Sequence, residues 1–217
     1  NMIPNLLFEL VAGGVLQAVL VPSFVAARRE HGDRGLTEAT RAMCGVIVGG
    51  LTLLTIVGMV LAPVISHLMV LSEPNSALAD DKIGLMVPMV LTFVPQLLCY
   101  GFATVTQAAL NARGRYVAAA LAPAVNNIVV VAAFIAFRAT RTGDGVVGLH
   151  LTTWQFLLIA GGTTLGVVAF SLTPAFALKA VGISWWPSWN PHHPAVRNLR
   201  GSFGWMTMSI VSTLVPT

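Results

Sequence analysis

Residues 117–137 read VAAALAPAVNNIVVVAAFIAF, a run that contains no ionisable side chain. Arg115 precedes the run and Arg138 follows it, so the nearest charges stand at its two ends. A helix needs about 20 predominantly apolar residues to cross the hydrocarbon core of a bilayer. This stretch therefore has the length and the composition of one membrane-spanning helix.

Four further stretches have the same character. The predicted spans cover residues 3–27, 43–70, 83–110, 117–137 and 153–178, and an incomplete span starts near residue 204. Charged residues make up 9% of the chain and hydrophobic residues 56%, whereas soluble domains carry about 25% charged residues. We therefore exclude a soluble protein. We predict an all-α polytopic membrane helix bundle, with residues 1–217 forming a single transmembrane domain that is an internal piece of a longer protein.

Basic residues are distributed unevenly among the segments that connect the spans. Nine of the twelve lie in the alternate segments 28–41, 111–116 and 179–200. The intervening segments hold the other three, together with the acidic stretch 73–81. Because Lys and Arg favour cytoplasmic loops, the three basic segments are predicted to face the cytoplasm and Asn1 the outer side. The basic residues would then meet anionic headgroups, so the net charge needs no nucleic-acid partner.

Proline and glycine recur inside the spans. Each predicted span contains a proline, and most contain a glycine pair such as Gly161-Gly162. Close helix packing is one explanation for the small residues. Broken helices are also typical of alternating-access transporters, and a proline in every span favours that explanation. The third span holds both Pro88 and Pro95, which predicts a kink or a strong tilt.

The longest connection, residues 180–200, contains the run WWPSW at 185–189. Trp is enriched at the membrane–water interface, so we predict a cytoplasmic interfacial linker between two groups of helices. His192 and His193 are adjacent, and adjacent side chains point in different directions, so no metal site is predicted. Cys44 and Cys99 lie within spans and are interpreted as small buried hydrophobes.

Ionisable and amide side chains inside the spans are the candidate functional residues. Glu9 is the only acidic residue in a full span, and such a residue usually faces a protein interior or a watery cavity. The alternative is that Glu9 is solvated near the outer surface. Asn5 and Gly13 share its helix face, which is polar and small. The sequence shows no catalytic constellation, so the chain is not predicted to be an enzyme and no cofactor is implied.

The fourth span carries a second polar pair, Asn126 and Asn127. Either amide can form hydrogen bonds across helices, which would make it structural. Pro123 lies one turn before Asn127, removes a backbone donor and frees a carbonyl. The sequence therefore predicts that this helix bends.

Two runs of residues resemble the lipid II flippases (MurJ/MviN). The first run is Ile3-Pro4-Asn5-Leu6-Leu7 with Gly14 and Val21-Pro22, and it resembles the second helix of that family. The second run is Leu110-Asn111, Arg115-Tyr116, Ala122-Pro123 and Asn127-Ile128, which matches the junction of the family's fourth and fifth helices without a gap. The five spans and their orientation fit helices two to six and the start of helix seven.

The resemblance implies a two-lobe exporter of fourteen helices, of which this chain supplies most of the first lobe. It also implies a substrate, the undecaprenyl-pyrophosphate-linked peptidoglycan precursor, that moves from the inner to the outer leaflet of the bacterial plasma membrane. The implied cavity or gating residues are Asn5, Glu9, Gly13, Pro123 and Asn127, and Asn111 and Arg115 form a cytoplasmic turn motif. The family's two cavity arginines in the second helix are Phe8 and Glu9 here, and an early proline of the fifth helix is Ala119.

Three hypotheses follow from the sequence. The first is a lipid II flippase that works by alternating access and serves cell-wall synthesis. The second is a related exporter of drugs or polysaccharide intermediates, whose cavity would carry different charges. The third is a membrane scaffold that binds other cell-wall synthesis proteins without transporting, and the loss of the two arginines favours it.

Overall fold

The computed structural model describes residues 15–70, 76–140 and 152–198, and within them the chain forms helices and no β-strand. The helices are α1 Val15–Val60, α2 Ala62–Val70, α3 Ser76–Phe93, α4 Gln96–Ala112, α5 Val117–Ala139, α6 Thr153–Phe156 and α7 Gly162–Ala180, with a π-helical turn, Leu157–Gly161, between α6 and α7. Four helical segments of these ranges are long and apolar enough to cross a membrane: Leu16–Val60, Lys82–Ala112, Val117–Ala139 and Thr153–Ala180. The predicted all-α membrane fold is confirmed. The start of the first predicted span and the incomplete span near residue 204 lie outside the described residues.

Helix α1 is long enough for two membrane crossings. Its 46 residues would rise about 70 Å as one straight helix, against roughly 30 Å of hydrocarbon. The helical geometry is interrupted at His31 (φ −131°, ψ 15°) and Gly32 (φ 62°, ψ −151°). A positive φ is readily adopted by glycine, so Gly32 permits the break. The break divides α1 into a first arm, residues 15–30, and a second arm, residues 33–60. The connection predicted at 28–41 is thus helical except at His31 and Gly32.

Two helices end in the same backbone arrangement, the Schellman motif. At the end of α4, Gly114 (φ 79°) donates to the Asn111 carbonyl at 3.0 Å, and Arg115 N–H donates to the Leu110 carbonyl at 2.9 Å. At the end of α7, Gly182 (φ 82°) and Ile183 make the equivalent bonds to Lys179 and Leu178. These bonds satisfy carbonyls that a helix end otherwise leaves without partners.

The described residues divide into two compact units. Unit 1 comprises residues 15–49, 101–119 and 174–198, and unit 2 comprises residues 50–70, 76–100, 120–140 and 152–173. Of the ten basic residues that the structure describes, Lys82 and Arg138 belong to unit 2 and the other eight belong to unit 1. The described basic residues of the three segments predicted to be cytoplasmic therefore all lie in unit 1, and those of the intervening segments lie in unit 2.

Unit 1 has a continuous apolar core. Its largest fully buried apolar side chains are Leu20, Phe24, Leu36, Met43, Val105, Leu110, Leu178, Ile183 and Val196. They come from both sides of the His31–Gly32 break, from α4, from the end of α7 and from the segment that follows it. Burying such side chains stabilises the unit by roughly 1.5–3 kcal/mol each.

Unit 2 packs through small residues and exposes large ones. A Cβ built on Gly162 of α7 would overlap Ala133 of α5, and one built on Gly166 would lie 2.7 Å from Val130 Cγ2. The outer faces are apolar, with Val60 exposed to 73% and Ile128 to 69%. Close contact through glycine and exposed aliphatic side chains are the pattern that a hydrocarbon solvent favours.

Candidate functional site

The structure places the predicted site residues in three different situations. Asn5, Glu9 and Gly13 lie outside the described residues. Pro123 and Asn127 lie on α5, and both are exposed. Asn111 and Arg115 lie at the end of α4, where several polar side chains of unit 1 meet.

Three amide side chains form a hydrogen-bonded cluster, which we call the amide triad. Gln17 Nε2 donates to Gln107 Oε1 at 3.1 Å, and Asn111 Nδ2 donates to Gln17 Oε1 at 3.3 Å. Gln107 and Asn111 are four residues apart, so they lie on one face of α4 and approach Gln17 of α1 together. All three residues are partly buried. The predicted residue Asn111 therefore joins α4 to the first arm of α1.

A second cluster, the Asp33 cluster, follows directly along the chain. Asp33 Oδ1 lies 3.3 Å from Arg28 Nε, and Asp33 Oδ2 lies 2.9 Å from Arg113 Nη1. Arg28 also donates from Nη1 to the Ala112 carbonyl at 3.3 Å. Arg28 and Asp33 stand on opposite sides of the α1 break, and Arg113 follows α4. The cluster thus ties the break to the end of α4.

The Asp33 cluster is partly exposed to water, and this limits its energy even though the Arg113 side chain is only 22% exposed. The Asp33 side chain is 51% exposed and that of Arg28 is 41% exposed. Water screens such pairs, and exposed ion pairs contribute about 0–1 kcal/mol each. The cluster therefore sets the geometry of the turn more than it stabilises the fold.

The resemblance places Arg115 in a cytoplasmic turn motif, where a basic side chain can pair with carbonyls at the helix end. The Arg115 backbone N–H does cap the Leu110 carbonyl, but the guanidinium that reaches a carbonyl at this helix end belongs to Arg28. Arg115 itself is exposed. Arg28 and Gln17 were missed because both contact α4 from a distant part of the chain. No local spacing reveals such a pairing.

Asn126 occupies a tight position between α5 and α7. A Cβ built on Gly166 would lie 2.6 Å from Asn126 Oδ1. This oxygen is buried and has no hydrogen-bond partner among the described residues. The neighbouring Asn127 is exposed instead. The two amides thus differ: Asn126 packs within unit 2, and Asn127 is accessible.

Two interruptions of regular helix are joined by a side-chain hydrogen bond. The first is the gap between α3 and α4 at Val94-Pro95, and the second is the π-helical turn before α7. Gln96 Nε2 donates to Thr164 Oγ1 at 2.8 Å, and Thr164 Oγ1 donates to the Ala160 carbonyl at 2.7 Å. π-helical turns are frequent at functional sites. Pro95 signalled the first interruption, and the glycine pair Gly161-Gly162 stands where the second one ends.

The segment 183–190, which we call the strap, docks on the second arm of α1. Ser188 N–H donates to the Arg41 carbonyl at 3.0 Å, and Arg41 Nε donates to the Trp186 carbonyl at 3.2 Å. Gly45 contacts the Ser188 backbone closely, and a Cβ on Gly49 would lie 2.6 Å from the Trp189 ring. The predicted linker is therefore held against a face of α1 that only small residues can supply.

The described residues contain no group of three or more His, Cys, Asp or Glu side chains able to hold a metal ion. His193 Nδ1 accepts from the Ala195 N–H at 3.3 Å, so one of the two adjacent histidines has a structural partner. The arrangement of amides and ion pairs positions helices and offers no nucleophile or paired acid and base.

Comparisons with known proteins agree with the resemblance seen in the sequence. The chain matches the family described as "Lipid II flippase MurJ" over residues 1–216. Two curated relatives named "Probable lipid II flippase MurJ", from Rhizobium tropici and from Rhizobium meliloti (strain 1021), are each 29% identical to it over 166 residues. These matches cover 76% of this chain and 30% of each relative. The chain thus spans less than a third of the length of the relatives, and no solved structure gives a significant match.

Proposed function

The chain belongs to the lipid II flippase MurJ family, and on that premise we propose that it forms most of the first lobe of a flippase. The substrate is the undecaprenyl-pyrophosphate-linked peptidoglycan precursor, moved from the inner to the outer leaflet for cell-wall synthesis. The observation that carries the proposal is the family match over residues 1–216 of an all-α membrane chain. The protein is a transporter in this proposal and performs no covalent chemistry.

The proposed mechanism is alternating access. Its physical requirement is helices that change shape at defined points, and unit 2 has two such points, at Pro95 and at the π-helical turn. Discontinuous helices have backbone groups that side chains or water must satisfy. Thr164 supplies such a side chain, because its hydroxyl donates to the Ala160 carbonyl, and Gln96 in turn donates to the Thr164 hydroxyl. We assign these residues to the bending of the lobe.

The orientation belongs to the proposal as well. Unit 1 contains eight of the ten described basic residues, and the positive-inside rule places such a set in the cytoplasm. The amide triad and the Asp33 cluster then lie toward the cytoplasmic side of the lobe. Their contacts hold the first arm of α1 and α4 together, which favours a rigid cytoplasmic end of unit 1.

The cavity role is assigned to Glu9, with Asn5 and Gly13 on the same face. An arginine from the helix that precedes this region in the family would keep Glu9 ionised, and Glu9 would in turn orient that arginine. Pro123 and the accessible Asn127 of α5 are assigned to gating. Asn111 and Arg115 form the cytoplasmic turn.

One sequence feature favours a second candidate function. Phe8 and Glu9 occupy the positions of two arginines of the resembling family pattern. A protein that had lost pyrophosphate binding could retain the fold and serve as a membrane scaffold for other cell-wall synthesis proteins. The two functions differ in whether the precursor reaches the outer leaflet.

Depletion and complementation separate the two candidates. The full-length protein is depleted in its own cells, and the surface exposure of the precursor is measured with a reagent that cannot cross the membrane. The flippase predicts that exposure falls on depletion and returns with the wild-type protein. Unchanged exposure in depleted cells that nevertheless lose their shape would favour the scaffold.

A further inference from the structure

An open groove of about 350 Å³ lies in unit 1, where α7 ends and the strap begins. Its lining residues are Lys179, Gly182, Ile183, Ser184, Trp185 and Trp186. The groove combines one cationic side chain, one hydroxyl and two indole rings. Of these six residues, Lys179 alone carries a full charge.

The walls of the groove are held by contacts within unit 1. Ile183 is buried, and its N–H donates to the Leu178 carbonyl at 3.2 Å. Trp185 packs edge-on against Phe102, with ring centroids 5.1 Å apart and an interplanar angle of 76°. The Trp186 carbonyl accepts from Arg41 Nε at 3.2 Å. These contacts hold three of the six lining residues, Ile183, Trp185 and Trp186, in place.

The surface of the groove is cationic at Lys179 and becomes apolar toward the preceding turn of α7. Lys179 is exposed in the last turn of α7, and the Trp186 ring beside it is 68% exposed. Phe176 lies three residues before Lys179, so it shares the same helix face, and it is 61% exposed. An apolar surface thus continues from the cationic groove along the helix. Lysine and exposed tryptophan side by side are typical of the membrane–water interface.

We propose that this groove binds one anionic phospholipid. The phosphate pairs with the Lys179 ammonium, the glycerol region lies against the indole rings of Trp185 and Trp186, and an acyl chain follows the Phe176 face. The guanidinium of Arg41, held at the Trp186 carbonyl, adds positive potential next to the groove. A free phosphate would use Lys179 but would leave the apolar surface uncovered, so the amphipathic lining favours a lipid. The proposal does not rest on the flippase function.

Native mass spectrometry of the full-length protein in detergent tests this site. The protein is titrated with phosphatidylglycerol and, separately, with phosphatidylethanolamine of the same acyl chains. Removing one lysine that pairs with a phosphate at a membrane surface weakens binding about fivefold. We expect that loss of phosphatidylglycerol affinity in Lys179→Gln, near wild-type affinity in Lys179→Arg, and no change for phosphatidylethanolamine in either variant.

Arg138→Gln is the matched control, because Arg138 is also an exposed basic residue in the last turn of a helix. It should retain wild-type phosphatidylglycerol binding, and a Trp186→Ala variant should lose it in part. Equal binding by Lys179→Gln and the wild type would overturn the proposal, as would an equal loss in Arg138→Gln. Displacement of phosphatidylglycerol by millimolar inorganic phosphate would overturn the assignment to a lipid.

Discussion

Gln96 donates a 2.8 Å hydrogen bond from its amide nitrogen to the hydroxyl of Thr164, 68 residues further along the chain. Gln96 directly follows the helix interruption at Pro95, and Thr164 lies three residues after the π-helical turn Leu157–Gly161. The bond therefore couples two places where a helix can change its direction. Helix bending in unit 2 is expected to occur at both places together.

A double-mutant cycle measures this coupling. Gln96→Leu and Thr164→Val each remove one partner, and the double variant removes both. Side-chain hydrogen bonds between membrane helices contribute about 0.6 kcal/mol on average and up to about 1.7 kcal/mol. We expect a coupling energy in that range from unfolding in detergent. Strictly additive single effects would show that the two interruptions are independent.

The contact between α5 and α7 predicts a sharp difference between two adjacent glycines. A Cβ at Gly162 would overlap Ala133, whereas a Cβ at Gly161 would meet nothing within 4 Å. Gly162→Ala should lower the free energy of unfolding by about 1–3 kcal/mol through overpacking. Gly161→Ala should leave it unchanged or raise it. Thermal unfolding of the purified variants provides the comparison, and equal midpoints would contradict the close packing.

Arg28 and its neighbour Arg29 offer a matched pair at the Asp33 cluster. Arg28 contacts Asp33 and the Ala112 carbonyl, whereas Arg29 is exposed. Arg28→Gln should lower the unfolding midpoint measurably, with a loss of about 1 kcal/mol. Arg29→Gln should change it little. Raising the salt concentration should shrink the difference, since part of the effect is an exposed ion pair.

The orientation is testable by cysteine labelling in a background that lacks Cys44 and Cys99. Gly32 is unsuitable for a reporter because its φ of 62° would strain a cysteine. The adjacent His31 is exposed and can carry it. His31→Cys should react only with a reagent that reaches the cytoplasm, and Asn75→Cys only with one applied outside. Labelling of both from one side would refute the proposed topology.

Glu9 provides the test of the cavity. Glu9→Gln in the full-length protein should reduce export of the lipid-linked precursor while its membrane level stays nearly unchanged. Leu7→Gln, on another face of the helix predicted there, should instead lower the protein level because it exposes an amide to lipid or to a packed interface. Normal export by Glu9→Gln would contradict the cavity role and favour the alternative, in which Glu9 is solvated near the outer surface.

Hydropathy predicted the all-α membrane fold, because a helix that crosses a bilayer must be apolar along its length. The uneven distribution of basic residues likewise matched the division of the described residues into two units. The arginine-containing segment 28–41 was interpreted as a connection because of its charge, yet charged residues can remain helical. The α1 break is therefore confined to His31 and Gly32. Only the backbones of His31 and Gly32 leave helical geometry, and glycine at position 32 was not distinctive among 20 glycines.

The contacts of the candidate site residues were harder to predict from the sequence than the fold. Asn111 was found through a motif, but its partners Gln17 and Gln107 follow from how α1 meets α4. Likewise, Asn126 and Asn127 are equivalent in sequence, and only the position of Gly166 distinguishes the packed amide from the exposed one. Long-range contacts of this kind depend on helix rotation, which hydrophobic patterns set only coarsely.

The sequence Gly45 to Gly49 is GVIVG, with two glycines four residues apart on one helix face. In a bilayer such a face commonly mediates self-association of helices. Here the strap already occupies it through Ser188 and Trp189. An isolated peptide of this segment could therefore dimerise through the two glycines in a helix-association assay. In the folded protein the same face is covered by the strap and is not available to a second helix.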